Sequence, residues 1–134
     1  MKVHGVNTQI TVNALDITQS TNTSSLTRTG DSHDLTTYGA AGHIPGGGLP
    51  NHKFTMGGVY EALATATSPK AVLQPLLLTT TEIVRKPEGT GAGKPTETFD
   101  AMLKSYVETA PVADYISWSA EFEVSGDIAD TVQV

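Results

Sequence analysis

The longest unbroken alternation of apolar and polar positions runs from Ile116 to Gly126, where Ile116, Trp118, Ala120, Phe122 and Val124 interleave with Ser117, Ser119, Glu121, Glu123 and Ser125. Side chains of a strand alternate between its two faces, so a period of two predicts a β-strand with one apolar and one polar face. A sheet of such strands buries one face in its own core and offers the other to solvent, to a neighbouring copy or to a channel. Trp118 and Phe122 are the expected core anchors of the apolar face. Glu121 and Glu123 are the expected carboxylates of the polar face.

The same reading extends along the chain. Residues 8–18 predict a hairpin with a tight turn at Asn13 and Ala14, and residues 22–29 and 33–38 predict a second hairpin about Gly30, Asp31 and Ser32. Residues 52–60 predict a strand with Phe54, Met56, Gly58 and Tyr60 on one face and a bulge at Gly57 and Gly58. Ser68 and Pro69 supply an N-cap and a first-turn proline for the one helical segment, Lys70 to Leu78. Pro75 limits that helix to about two turns, and Leu73, Leu76 and Leu77 are placed against the sheet. Strands are expected over 79–86 and 96–109, the latter with Phe99, Ala101 and Leu103 inward and Asp100, Lys104 and Glu108 exposed or edge-facing. Flexible or turning connections are expected at 87–95 and 110–114. The fold class is mainly β, an antiparallel β-sandwich or barrel with one short helix, in a single domain over 1–134.

The segment 39–50 holds five glycines and two prolines in twelve positions, a composition that opposes an interior helix or strand. It is predicted to be a long loop. Loops of this length are uncommon in compact domains unless they bind or remain disordered, so Gly39, Gly42, His43, Ile44, Pro45, Gly46, Gly47, Gly48 and Leu49 form the candidate intersubunit arm. A phosphate cradle would need a lysine after the glycines and a helix to follow, and the sequence has neither.

Composition narrows the function further. The chain of 134 residues is long enough for one core and contains no cysteine, which removes disulfides, thiolate metal sites and thiol nucleophiles. Charged residues are 16% of the chain and the formal net charge is −6, a balance that opposes charge-driven binding of nucleic acid. No span approaches the roughly 20 apolar residues of a membrane helix, and Met1 to Ile10 lacks the order of a signal peptide. His4, His33, His43 and His52 are scattered without metal-ligand spacing and are expected in surface or loop positions. There is no nucleophile elbow. An enzyme acting through Glu121 or His33 would need a pocket that no motif announces. No catalytic residue, cofactor or metal is expected.

Taken together, Val12 to Tyr60 resembles the amino-terminal half of the tail tube (major tail) proteins of long-tailed bacteriophages, especially small ones from phages of actinobacteria. The resemblance is carried by VNALDIT, by the Thr/Ser-rich SSLTRTGDSHDLTTYG, by the Pro-Gly loop HIPGGGLP and by KFTMGGVY. The segment SYVETAPVADYISWSAEFEVSGDI is similar to the last hairpin of those proteins, whose strand runs into a Ser-Gly or Asp-Gly turn. The turn that often reads Asn-Gly in the family is Asn13-Ala14 here, and three consecutive glycines occupy the loop. The resemblance implies a virion protein assembled in the host bacterial cytoplasm. Its hexameric rings would join their sheets into an inner barrel and stack into a tube for genome delivery. The implied partners are further copies, other tail proteins (tape measure, terminator, distal tail) and passing double-stranded DNA without specific binding, with no membrane. Candidate lumen-facing carboxylates are Glu121 and Glu123. A capsid decoration or other head-associated protein is the alternative.

Overall fold

A computed structural model of the chain describes residues 2–60 and 68–134. Met1 and residues 61–67 lie outside the described residues. In chain order the elements are β1 (Gln9–Val12), β2 (Leu15–Asp16), β3 (Thr23–Thr27), β4 (Gly30–Asp34), β5 (Pro45–Pro50), β6 (Lys53–Val59), α1 (Pro69–Leu73), β7 (Thr80–Lys86), β8 (Pro95–Thr109) and β9 (Ser117–Val132). Seven strands form one sheet in the order β2-β1-β7-β8-β9-β6-β3, every pair antiparallel. β4 and β5 form a separate two-stranded sheet.

The alternation that dominates the sequence becomes β9, with Trp118, Ala120 and Phe122 buried and Ser117, Ser119, Glu121 and Glu123 exposed. Ile116 lies just before the strand and is 41% exposed, so the apolar face begins at Trp118. β8 buries Phe99, Ala101 and Leu103 as its pattern predicts. Phe54 of β6 meets Phe99 edge-on with centroids 5.3 Å apart and lies 5.8 Å from Phe122. These three rings, with Ile10, Val12, Ile17, Ile83 and Leu103, join all the long strands in one apolar core. Although β3 and β7 are separated by three strands in the sheet, Arg85 Nε of β7 donates to Ser24 Oγ of β3 at 3.2 Å. The sheet is therefore rolled until its two halves meet.

The first turn keeps its predicted position, and Asn13 and Ala14 both have positive φ, 50° and 63°. That is the left-handed pair a two-residue hairpin requires. Ser68 caps α1 by accepting the Ala71 N–H at 3.3 Å, with Pro69 in the first turn. A 3-10 turn at Gln74–Leu76 follows, so Pro75 ends the α-helix early. Val72 and Leu73 are buried and Leu76 is packed on the core, whereas Leu77 is 51% exposed and does not join it. Its backbone forms an isolated parallel bridge with Leu103 of β8.

Three expectations about strand pairing are corrected. The second predicted hairpin does not form: β3 pairs with β6 and β4 pairs with β5, so Gly30 to Ser32 belong to a strand rather than a turn. β6 has no bulge, since its register to β3 and to β9 is continuous through Gly57 and Gly58. A Cβ on Gly57 would stand 2.7 Å from the Trp118 carbonyl oxygen, and one on Gly58 would collide with the Ser20 carbonyl. These glycines serve close backbone approach. Finally, β9 does not end in a turn at Ser125 and Gly126 but continues to Val132 through a bulge.

Candidate assembly arm and sheet face

Between β3 and β6 the chain leaves the body and returns as β4 and β5. The segment predicted as a loop is therefore in part a strand, because Pro45–Pro50 pairs with Gly30–Asp34. Glycine opposes a strand through its entropy, but here it is required on one side of the ladder. A Cβ on Gly46 would strike Leu35, and one on Gly48 would sit 2.8 Å from His33 Nε2 and 2.9 Å from the Asp31 carbonyl oxygen. Gly47 has open space. The tip is closed by Leu35 N–H donating to the Ile44 carbonyl at 2.7 Å and by Ile44 N–H donating to Thr36 Oγ1 at 2.9 Å. Gly39, with φ 87°, and Gly42 lie in that tip, where an added Cβ would meet open space.

The arm is almost wholly exposed, including Leu35, Tyr38, Ile44 and Leu49. His43 Nδ1 approaches Asp34 Oδ2 at 3.6 Å, and the Thr36 hydroxyl and backbone N–H hold the Asp34 carboxyl below its ordinary range. An isolated two-stranded hairpin is marginal in water. This one presents apolar side chains with no core of its own beneath them.

Of the four histidines expected in surface or loop positions, His52 lies in the short connection between β5 and β6 but is buried, at 8% exposed. Its Nδ1 accepts the Thr29 N–H at 3.1 Å, which leaves the proton on Nε2 to donate to Asp127 Oδ1 at 3.2 Å. The sequence offered no direct signal for this, since burial depends on β9 passing over the root of the arm.

The second surface is the outward face of β3, β6, β9 and β8. Cross-strand registers align Thr23, Gly57 and Ser119, then Ser25, Thr55 and Glu121, then Thr27, Lys53 and Glu123. Short hydroxyl side chains and glycine thus line a shallow open face. Glu121 accepts from Ser105 Oγ at 3.4 Å, and Glu123 lies 3.7 Å from Lys104 Nζ. Both are exposed and share this face, as the alternation predicts.

The remaining carboxylates divide. Glu82 of β7 stands directly across from Asp100 of β8 on the outer face. Glu108 accepts from the Tyr106 hydroxyl at 2.7 Å on the opposite face. Burial, and then Glu108, push the Tyr106 phenol well above its ordinary value, so it remains the donor. Asp114 caps Tyr115 in the turn after β8. Asp130 takes both Arg28 guanidinium nitrogens, at 2.8 and 2.7 Å, which holds its carboxyl low.

Trp118 lies in the core, 3% exposed, with its indole N–H donating to the Ser20 carbonyl at 3.0 Å. Phe122 is buried against Phe54. Among the described residues no three His, Asp or Glu side chains converge as a metal-ligand set. No described helix is long and apolar enough to cross a membrane.

This rolled, mainly antiparallel sheet with one short helix among the described residues is a tail-tube-like fold. The chain superimposes on the subunit of the tail of an empty gene transfer agent particle, refined with sixfold symmetry, with TM-score 0.74 and 14% identity over 98% of this chain and 100% of the other. A chain of the native gene transfer agent virion gives TM-score 0.75 at 12% identity, covering 98% and 100%. The SPP1 tail tube gives TM-score 0.74 at 11% identity, covering 99% and 81%. No protein-family model and no curated protein sequence matches the chain.

Proposed function

We propose that this chain is the structural subunit of a phage-type tail tube, assembling as hexameric rings that stack into a conduit for double-stranded DNA. The observation that carries the reading is the end-to-end match of its fold to subunits of tail particles, over 98–99% of the chain. Two features of the molecule agree with it. The exposed arm needs a covering partner, and further copies of the chain supply one. The outward face of β3, β6, β9 and β8 is smooth and hydroxyl-rich, and Glu121 and Glu123 on it repel phosphate rather than hold it by counterion release.

In this reading the whole chain, 1–134, is one domain and its role is structural rather than enzymatic. The subunit assembles in the host cytoplasm and resides in the virion. Its partners are its own copies, then the tape measure, terminator and distal tail proteins. The kinship to small actinobacteriophage tail proteins rests on the sequence pattern of Val12 to Tyr60. Negative-stain imaging of the purified protein tests the proposal directly. Rings or tubes with a central channel are expected, and a preparation holding only monomers, or trimers that dock on preformed capsids, overturns it in favour of a head-associated protein.

A further inference from the structure

Both roots of the arm are gripped by one irregular stretch of β9. Thr98 of β8 pairs with Ala129, and the next pair is Asp100 with Ser125, so β9 carries two residues more than β8 between these points. Gly126, with φ 78°, begins the excess. A bulge bends its strand and re-aims the side chains that follow. Here it turns Asp127 toward one root of the arm, with Asp130 two pairs further along reaching the other.

On the outgoing root, Arg28 donates twice to Asp130 and once to Glu97 Oε2 at 2.7 Å. Glu97 is 8% exposed, and its other oxygen accepts from Arg85 Nη1 at 2.7 Å. On the returning root, the His52 ring is fixed between Thr29 N–H and Asp127, whose Oδ1 also accepts the Ile128 N–H at 2.8 Å. The two roots are tied to each other as well. Asn51 N–H donates to the Thr29 carbonyl at 2.8 Å, and the Thr29 hydroxyl donates to the Asn51 carbonyl.

We infer that Arg28, His52, Asp127 and Asp130 are positioning residues for the arm, a clasp built on the β9 bulge that fixes the direction in which β4 and β5 leave the body. The inference rests on the arm being an assembly element. An exposed ion pair on its own contributes little, but this clasp is centred on two buried groups, the Glu97 carboxylate and the His52 ring. Within the bulge Ile128 stays in the apolar core, while Asp127 beside it is exposed and turned to His52 at the returning root of the arm. An arm held at its root has less conformational freedom left to lose when it seats on a neighbour.

The test uses hydrogen exchange in the free subunit and the rate of tube formation, for Asp127→Ala, Arg28→Ala and the double variant, with Asp127→Asn as the conservative rescue. Exchange across 30–34 and 45–50 should rise about two- to fivefold in each alanine variant and further in the double. Protection in β7 and β8 should be unchanged. Asp127→Asn keeps an oxygen for His52 Nε2–H and should behave as the parent. Tube formation should slow in the same order. Unchanged arm exchange in the folded double variant overturns the clasp, as does a rise that is equal in the arm and in β7 and β8. If the parent forms no tubes, the assembly reading fails while arm exchange still decides the clasp.

Discussion

Replacing Trp118 by alanine should unfold this protein at moderate temperature, and the structure sets the size of the effect. The indole is 3% exposed, packs with its centroid 6.2 Å from that of Tyr106, and donates to the Ser20 carbonyl at 3.0 Å. Truncating a buried large aromatic costs about 3–5 kcal/mol through lost transfer energy and the cavity left behind. Leaving the Ser20 carbonyl without its donor adds about 1–3 kcal/mol. The surroundings cannot collapse to fill the gap, because Gly57 and Gly58 already bring β6 into contact with the Trp118 and Ser20 backbones. Against a total stability of about 5–15 kcal/mol, a loss near 5 kcal/mol lowers Tm by about 10–20 °C. Calorimetry of the free subunit measures it. Trp118→Phe, which keeps an aromatic ring but not the N–H, should recover more than half of the loss. Tube formation by Trp118→Ala should fail only at temperatures where the subunit is unfolded. A variant that melts like the parent yet forms no tubes would refute the core role and make the indole a contact residue.

Three further outcomes are expected. The parent tube should not bind double-stranded DNA at ordinary salt, because carboxylates repel phosphate within about 8 Å. The Glu121→Lys, Glu123→Lys double variant should bind it in a salt-sensitive way, as read by anisotropy; tight binding by the parent would replace the conduit with a nucleic-acid-binding module. Amide exchange at the arm tip, 35–44, should be fast in the free subunit and should fall on assembly, since the tip is exposed and Gly39 and Gly42 have open space beside them; equal rates in both states would remove the arm from the interface. Finally, the Asp34, Asp127 and Asp130 carboxyls are held below their ordinary values by hydrogen bonds, from Thr36, from Ile128 and His52, and from Arg28 respectively. Groups with depressed values stabilise the fold above the unfolded carboxylate range, about pH 4, and this contribution is lost as pH falls through the folded values. Tm should hold above about pH 5 and fall below about pH 4, less steeply in the Asp127→Asn, Asp130→Asn variant; identical acid profiles would contradict the assignment.

How much of this was legible in the sequence depends on the range of the interactions involved. The alternation in β9, the Ser68-Pro69 helix start and the Asn13-Ala14 turn are set by neighbours within a few residues, and each was read in place. Pairings set across long stretches of chain were not. Proximity in sequence predicts β3 beside β4, yet β3 pairs with β6, because β6 carries the apolar face of Phe54 and Met56 that continues the sheet. The glycines of 46–48 read as a loop, since their fitness for a strand depends on Leu35, His33 and Asp31 crowding from the opposite side. His52 looked like any loop histidine until the β9 bulge covered it. Glu121 and Glu123 lie on the outer face as period alone predicts, whereas the contact of Asp127 with His52 arises within a bulge at Ser125-Gly126-Asp127 that the sequence suggests only as a turn.

The order of the strands in the sheet also dictates a schedule of folding. β8 and β9 hold the centre of the sheet, yet every other strand precedes them in the sequence. During synthesis β1 waits for β7, about 70 residues later, and β3 and β6 have no β9 to lean on until the final hairpin emerges. Non-local closure of this kind is slow and leaves strand edges bare meanwhile. The β8–β9 hairpin is the long local pairing, expected to close faster than the pairings of β1 with β7 or of β6 with β9. The rolled sheet and the anchored roots of the arm are therefore completed together, late in folding, once β9 is in place.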